Sequence, residues 1–330
     1  MSVSCAREPI VLHGRLPPQS RGCMYEDFPT LYRMTTLRGY ADLLRLHFFF
    51  AWPILFCSGY FLAAAVYGTF SLVDLARVAV IGFLGFEGGL VLNDYIDREY
   101  DKRDTEFGRL TRYWRIFGTR PIPAGLVSPR SALLLFLLLA ISTLIVIATL
   151  PYPHSLYVAL IMLYCYGAEA FYQVKKRRQS LPVAQLLGRT DFALFPVAGY
   201  LCTGFPDIPS LLYFLFFYPF AMAHLGVNDL ADIENDRARG MQTVPVLYGM
   251  QGTAWWIAGF FILHVVFAFI FVSVLDPVAA AGVVFGLALL ALAVVHLARQ
   301  PTAEGGMKVL PLFHLAMLMY AGSIIVGALL

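Results

Sequence analysis

Two short runs of amides and carboxylates carry the chemistry available to this chain. The first is Asn93-Asp94-Tyr95-Ile96-Asp97-Arg98-Glu99-Tyr100-Asp101, at the end of an apolar stretch. The second is Asn228-Asp229-Leu230-Ala231-Asp232-Ile233-Glu234-Asn235-Asp236. On a helix, Asn93, Asp97 and Asp101 fall at i, i+4 and i+8 and share one face, with Asp94 and Arg98 pointing aside. Asn228, Asp232 and Asp236 repeat that spacing, and Asp229 stands three before Asp232. Such all-oxygen faces suit a hard cation such as Mg²⁺, which keeps waters and shares its coordination with substrate phosphates. The bland alternative is a solvated helix end balancing nearby arginines. The same spacing at two matching places argues against it.

The elements that must position these runs are membrane helices. The chain has 330 residues, of which 59% are hydrophobic and 14% charged, against about a quarter charged in soluble domains. Apolar runs long enough to cross a bilayer are expected at 43–66, 74–97, 131–150, 154–173, 181–203, 210–231, 253–275, 277–298 and 309–330. The predicted fold is therefore all-α and polytopic, with nine transmembrane helices around a central cavity. Residues 1–42 are expected to form a cytoplasmic N-terminal extension, and 43–330 the membrane domain. No cleavable signal peptide is evident.

The connections alternate in character. Tyr67–Val73, Leu150–Pro153, Gly204–Pro209 and Leu275–Pro277 hold no Lys or Arg, whereas Arg98 to Arg130 holds eight. Lys175-Lys176-Arg177-Arg178 forms a compact run, and Arg237 and Arg239 follow the second acidic cluster. Short basic loops stay on the cytoplasmic side. That places the N-terminus and both acidic clusters inside and, with nine spans, the C-terminus outside, in the cell membrane. Ionisable residues at this depth are functional by default. The net charge of +3 gives no reason to invoke nucleic acid. Cys5, Cys23, Cys57, Cys165 and Cys202 lack metal or disulfide spacing.

Carboxylates facing Arg and Lys across Mg²⁺ would bind a polyanion such as diphosphate. Orientation alone accounts for most of the basic residues, including Arg103, Arg109, Arg112 and Arg115. Arg120 differs, because Pro121 and Pro123 pin its backbone.

These residues resemble the UbiA superfamily of intramembrane prenyltransferases. The likeness rests on Asn93-Asp94-x-x-Asp97-x-x-x-Asp101 with Arg120-Pro121-Ile122-Pro123-Ala124-Gly125. It rests also on Asp229-x-x-Asp232-x-x-x-Asp236 with Gly240-x-x-Thr243 and Leu247-x-Gly249. It implies nine helices around a cavity with a lateral opening to lipid, and a prenyl diphosphate bound through Mg²⁺. Carried over, the metal ligands are Asn93, Asp97, Asp101, Asp229, Asp232 and Asp236. Lys176, in Tyr172-x-x-x-Lys176, meets the diphosphate, and Arg45 matches an early arginine. The chain departs from the family pattern between Asp101 and Arg120, where an extra stretch is expected to form an amphipathic helix over the site. Leu46 also follows Arg45 where Pro is common.

The expected reaction is ionisation of an allylic diphosphate, with Asp97, Asp101, Asp232, Asp236 and Lys176 as the catalytic set. Arg45, Asn93, Arg120, Tyr172, His224 and Asn228 bind substrates. The first-choice acceptor is an aromatic ring in quinone or redox-carrier synthesis. A glycerol-phosphate ether lipid and sugar-phosphate transfer to polyprenyl phosphate follow. An ion-coupled transporter is the non-enzyme alternative. It is disfavoured because the acids cluster at one face. His224 is open between acceptor contact and a structural hydrogen bond, and Glu87 between acceptor contact and helix pairing. Glu169 is expected to pair with Lys176 or read the acceptor, and Arg189 and Asp191 to pair or line the cavity. Phe48–Phe50 and Phe214–Phe217 are read as lipid-facing.

Overall fold

The computed structural model describes residues 28–106 and 108–330. Most of the expected N-terminal extension, with Cys5 and Cys23, lies outside the described residues. Thirteen α-helices and three short 3₁₀ turns follow in order, with no strand among the described residues. α1 (Phe28–Leu43) leads through a turn to α2 (Ala51–Tyr67) and α3 (Leu72–Asp97). The short α4 (Leu110–Trp114) precedes α5 (Pro129–Ala148), α6 (His154–Lys175), α7 (Val183–Gly188) and α8 (Thr190–Tyr200). Then come α9 (Ile208–Ala231), α10 (Ile233–Arg239), α11 (Val244–Phe271), α12 (Pro277–Arg299) and α13 (Ala303–Leu329).

Eight helices among the described residues are long and apolar enough to cross a membrane: α2, α3, α5, α6, α9, α11, α12 and α13. The expected fifth span at 181–203 is instead two shorter helices, α7 and α8, meeting at Arg189. Eight single helices among the described residues thus have the length of a span, and the ninth expected stretch is this broken pair.

Hydrophobic burial and caps explain the framework. The Ser71 hydroxyl caps α3 by accepting from the Asp74 amide, and Ser128 caps α5 through Ser131. Asp207 and Ser210 form a reciprocal capping box on α9, which ties down otherwise orphaned N-terminal amides. α2, α3, α6, α8, α9 and α13 close a ring, each packing on the next and α13 returning to α2. α5 covers α3, α11 covers α9, and α12 covers α13. The outer position shows in exposure: only 22% of the α5 and α11 windows is buried, against 67% for α2 and α9.

The ring is drawn shut where α2 meets α8. A Cβ on Gly59 would lie 1.9 Å from the Pro196 carbonyl oxygen, and one on Gly199 1.9 Å from the Phe56 oxygen. Small residues let membrane helices approach backbone to backbone, which maximises dispersion contact where lipid gives no hydrophobic drive. Phe216 and Phe217 of α9 are fully buried in this core. Their lipid-facing assignment is corrected: α9 is enclosed by neighbours on most sides. Phe49 and Phe50 remain exposed, while Phe48 packs against the core.

Candidate active site

Both acidic runs arrive at one cavity, but not as continuous helix faces. α3 ends at Asp97, and Asp101 opens a 3₁₀ turn. α9 ends at Ala231; Asp232 takes a non-helical conformation (φ −103°, ψ 11°) before α10 begins. The turns carry Asp101 and Asp236 back over the mouth. Asn93, Asp97, Asp101, Asn228, Asp229, Asp232 and Asp236 all line the cavity, as do Arg45, Arg120, Tyr172, Lys176 and His224. Its volume is about 1440 Å³ including the open mouth. Every residue singled out for the site from sequence thus meets at one place.

The carboxylates are held by cations. Lys176 Nζ is 2.7 Å from Asp97 Oδ2, and Arg177 reaches Asp97 Oδ1 at 3.1 Å. Arg120 bonds Asp101 at 2.9 Å and forms an ion pair with Asp104 at 2.6 Å. Arg239 is the hub of the second cluster, 2.5 Å from Asp104, 3.1 Å from Asp232, 3.4 Å from Asp101 and 3.6 Å from Asp236. It joins the two acidic runs directly. Burial pushes Asp236 up to about 7, helped by the Asp232 charge and opposed by Arg239, Lys176 and the Thr243 hydroxyl. Burial also raises Asp101, against Arg120 and Arg239. For Arg239, burial acts downward, but the surrounding carboxylates, Asp232 first, raise it overall.

Glu169 does not pair with Lys176. It accepts from Asn93 Nδ2 at 2.7 Å and from Gln173, and Gln173 in turn accepts from Lys176. This relay fixes Asn93 and Lys176 as one unit. The Tyr172 ring takes Lys176 at 4.9 Å and Arg189 at 5.3 Å, a cation–π arrangement that orients both. Arg189 faces Asp191 at 3.9 Å, and both line the cavity. Glu87 is fully buried and is not among the residues lining the cavity, and its oxygens lack hydrogen-bond partners among the described residues.

The segment between Asp101 and Arg120 folds into the site rather than over it as a long amphipathic helix. Its one helix, α4, has five residues. Trp114 Nε1 donates to Asn228 at 3.0 Å, and Arg115 grips Asp94 at 2.8 Å. Arg45 reaches the same Asp94 at 3.2 Å and lies over the Trp114 ring. Arg45 has φ 45°, ψ 45°, a conformation costing a non-glycine residue about 1 kcal/mol or more. Burial lowers the Arg45 guanidinium to about 10, against the pull of Asp94. Asp42 accepts from the Phe117 and Thr119 amides, and Asn235 accepts from those of Thr105 and Glu106. Asn235→Ala should therefore free this segment. Limited proteolysis within 102–119 is expected to speed up about tenfold, as local opening becomes easier by roughly 1–2 kcal/mol.

Sequence reasoning does not single out Arg115, Arg239 or His314, which line the cavity, nor Asp104 and Tyr113, which contact Arg239 and His314. Arg115 and Arg239 look like ordinary orientation charges in sequence. His314 had a usable signal, being a polar residue in an otherwise apolar span.

A metal fits this donor set. Asp101 Oδ1 and Asp229 Oδ2, one from each run, are buried without hydrogen-bond partners. Among the described residues no three His, Cys, Asp or Glu side chains form a ready metal cage. That suits Mg²⁺, which takes one or two carboxylates and completes its shell with water and phosphate.

A family model described as the UbiA prenyltransferase family matches residues 50–319. The chain belongs to the UbiA prenyltransferase family. Among its curated relatives, the digeranylgeranylglyceryl phosphate synthase of Natronomonas pharaonis is 30% identical over 236 residues, 70% of this chain and 76% of the relative. The 4-hydroxybenzoate octaprenyltransferase of Tolumonas auensis is 28% identical over 61% of this chain and 63% of its own length. A UbiA homologue from Archaeoglobus fulgidus, bound to DMAPP and Mg²⁺, superposes with a TM-score of 0.63 at 16% identity, covering 87% of this chain and 99% of the homologue. That likeness shows that the two chains share a fold.

Proposed function

We propose that this protein transfers a prenyl group from an allylic diphosphate to an aromatic acceptor. The observation that carries the reading is the convergence of both acidic runs and six cations, Arg45, Arg115, Arg120, Lys176, Arg189 and Arg239, on one cavity. Mg²⁺ would be held by Asp101 and Asp229, with Asp97, Asp232 and Asp236 beside them holding the cations, and when bound it would neutralise charge on the diphosphate. Lys176 and Arg120 meet the diphosphate and stabilise the charge that develops as its bond to the allylic carbon breaks. Asn93 and Asn228 orient it from opposite walls. Below them the wall is apolar, with Trp52 stacked on Phe86 at 3.8 Å and with Phe192 and Phe195 beside it. Water is kept from the allylic cation there, and planar rings can stack.

The protein is proposed to sit in the cell membrane with the cavity mouth and the N-terminus of the 43–330 domain on the cytoplasmic side and the C-terminus outside, following the basic loops. A second reading, transfer to a glycerol-phosphate lipid, is favoured by the identity shared with the Natronomonas synthase. Purified protein incubated with geranyl and geranylgeranyl diphosphates, Mg²⁺, and either 4-hydroxybenzoate or geranylgeranylglyceryl phosphate distinguishes the two by product mass. Prenylated aromatic product supports the first reading and ether lipid the second. No Mg²⁺-dependent product from either acceptor contradicts both.

A further inference from the structure

Two imidazoles meet on the cavity wall. His224 Nε2 and His314 Nε2 are 2.9 Å apart, and both side chains line the cavity. His314 Nδ1 lies 2.5 Å from the Tyr113 hydroxyl. The Tyr113 ring stacks on the His314 ring with centroids 5.5 Å apart at 14°. Phe192 and Phe220 lie parallel to the His224 ring at 6.0 and 6.2 Å, fixing its plane. His224 Nδ1 makes no protein hydrogen bond among the described residues. The inner carboxylates are otherwise engaged: Glu169 accepts from Asn93 and Gln173, and Asp191 faces Arg189.

An imidazole–imidazole hydrogen bond holds one proton between two nitrogens, so the two tautomers are linked. When His224 Nε2 carries that proton, its Nδ1 is left with a free lone pair, and His314 Nδ1–H donates to Tyr113. When His314 Nε2 carries it, the pattern reverses and Tyr113 donates to His314. A proton taken up at His224 Nδ1 can therefore be passed across the pair without either ring turning.

We propose that His224 is the base that takes the proton lost by the acceptor, with His314 and Tyr113 positioning it and sharing the charge. This rests on the prenyl-transfer reading above. The allylic C–O bond breaks and its electron pair leaves on the diphosphate. The acceptor's carbon or oxygen forms the new bond to the allylic carbon, and the hydrogen it displaces leaves as H⁺ to His224 Nδ1. The imidazolium charge is spread over the His224–His314 pair in the same cavity as the departing diphosphate. Tyr113 belongs to the extra segment before Arg120, so this segment supplies part of the chemistry as well as a wall.

The test separates ionisation from proton removal. Geranyl diphosphate carrying ¹⁸O in the bridging position scrambles its label whenever the C–O bond breaks and reforms, with no acceptor needed. Transfer is read in parallel with 4-hydroxybenzoate and with geranylgeranylglyceryl phosphate. His224→Gln is expected to keep label exchange within about twofold of wild type while transfer falls by roughly 10²–10⁴-fold. His314→Gln and Tyr113→Phe should lower transfer by about tenfold, also with exchange retained. Unchanged transfer in His224→Gln overturns the proposal, as does loss of exchange and transfer together. In ¹⁵N-histidine-labelled protein, His224 signals that ignore Tyr113→Phe would break the connection independently of any acceptor. Failure of the wild type both to exchange label and to form either prenylated product would overturn the prenyl-transfer reading itself.

Discussion

Asp229→Asn is expected to abolish Mg²⁺-dependent prenyl transfer, by about 10²-fold or more, while leaving the protein at least as stable as wild type. Most carboxylates at this site cannot give so clean a result. Asp97 holds Lys176 and Arg177, and Asp232 shares Arg239. Removing Asp97 strips buried Lys176 of its carboxylate partner, which costs about 3–5 kcal/mol, and removing Asp232 takes from Arg239 one of its four carboxylates. Asp229 is buried, and its Oδ2 has no hydrogen-bond partner. Its charge is held in the fold at a loss, and an isosteric amide relieves that loss. A folded, thermally robust and inactive Asp229→Asn protein is the signature of a functional carboxylate. Thermal unfolding in detergent and product formation on the same sample check it. A marked drop in stability would assign Asp229 a structural role.

The second large effect is on the fold. Gly59→Leu or Gly199→Leu should leave little folded protein in detergent. Each new side chain would start within 2 Å of a backbone carbonyl oxygen across the α2–α8 contact. Backbone cannot swing aside as a side-chain tip can, so the helices must separate at a cost of roughly 1–3 kcal/mol or more. The damage reaches the site, because α8 carries Asp191 and Phe192 and α2 carries Trp52. Gly259→Ala is the control. Nothing lies within 4 Å of its added Cβ, and better helix propensity should make the change neutral or stabilising by up to about 1 kcal/mol. Recovery of monodisperse protein by gel filtration reads both outcomes.

The sequence shows which residues meet more clearly than how they get there. Asn93, Asp97, Asn228 and Asp229 were legible because helical spacing and the ends of apolar runs coincide. Asp101 and Asp236 line the cavity without lying on the helices that the spacing predicts. Helical periodicity cannot show that the chain leaves α3 after Asp97, or breaks at Asp232 before resuming as α10. The cations were harder. Lys176 stood out beside Tyr172, but Arg239 reads as one more basic loop residue. Only tertiary packing brings Asp104 and Asp101 against it. The His224–His314 contact spans 90 positions, a pairing that no local pattern encodes. α8 was read as part of one long span because its apolar content hides the change of direction at Arg189.

The central claim is that the two acidic runs act as one clamp on a single metal-bound diphosphate. The most direct test is Mg²⁺-dependent binding of geranyl S-thiolodiphosphate, which cannot ionise readily, to wild type, Asp97→Asn, Asp229→Asn and the double variant. Each single change should weaken binding by about 10–100-fold, and the double should be far less weakened than the product of the two, because both runs serve one ligand. Losses that multiply independently, or a run whose change leaves binding untouched, would contradict the clamp.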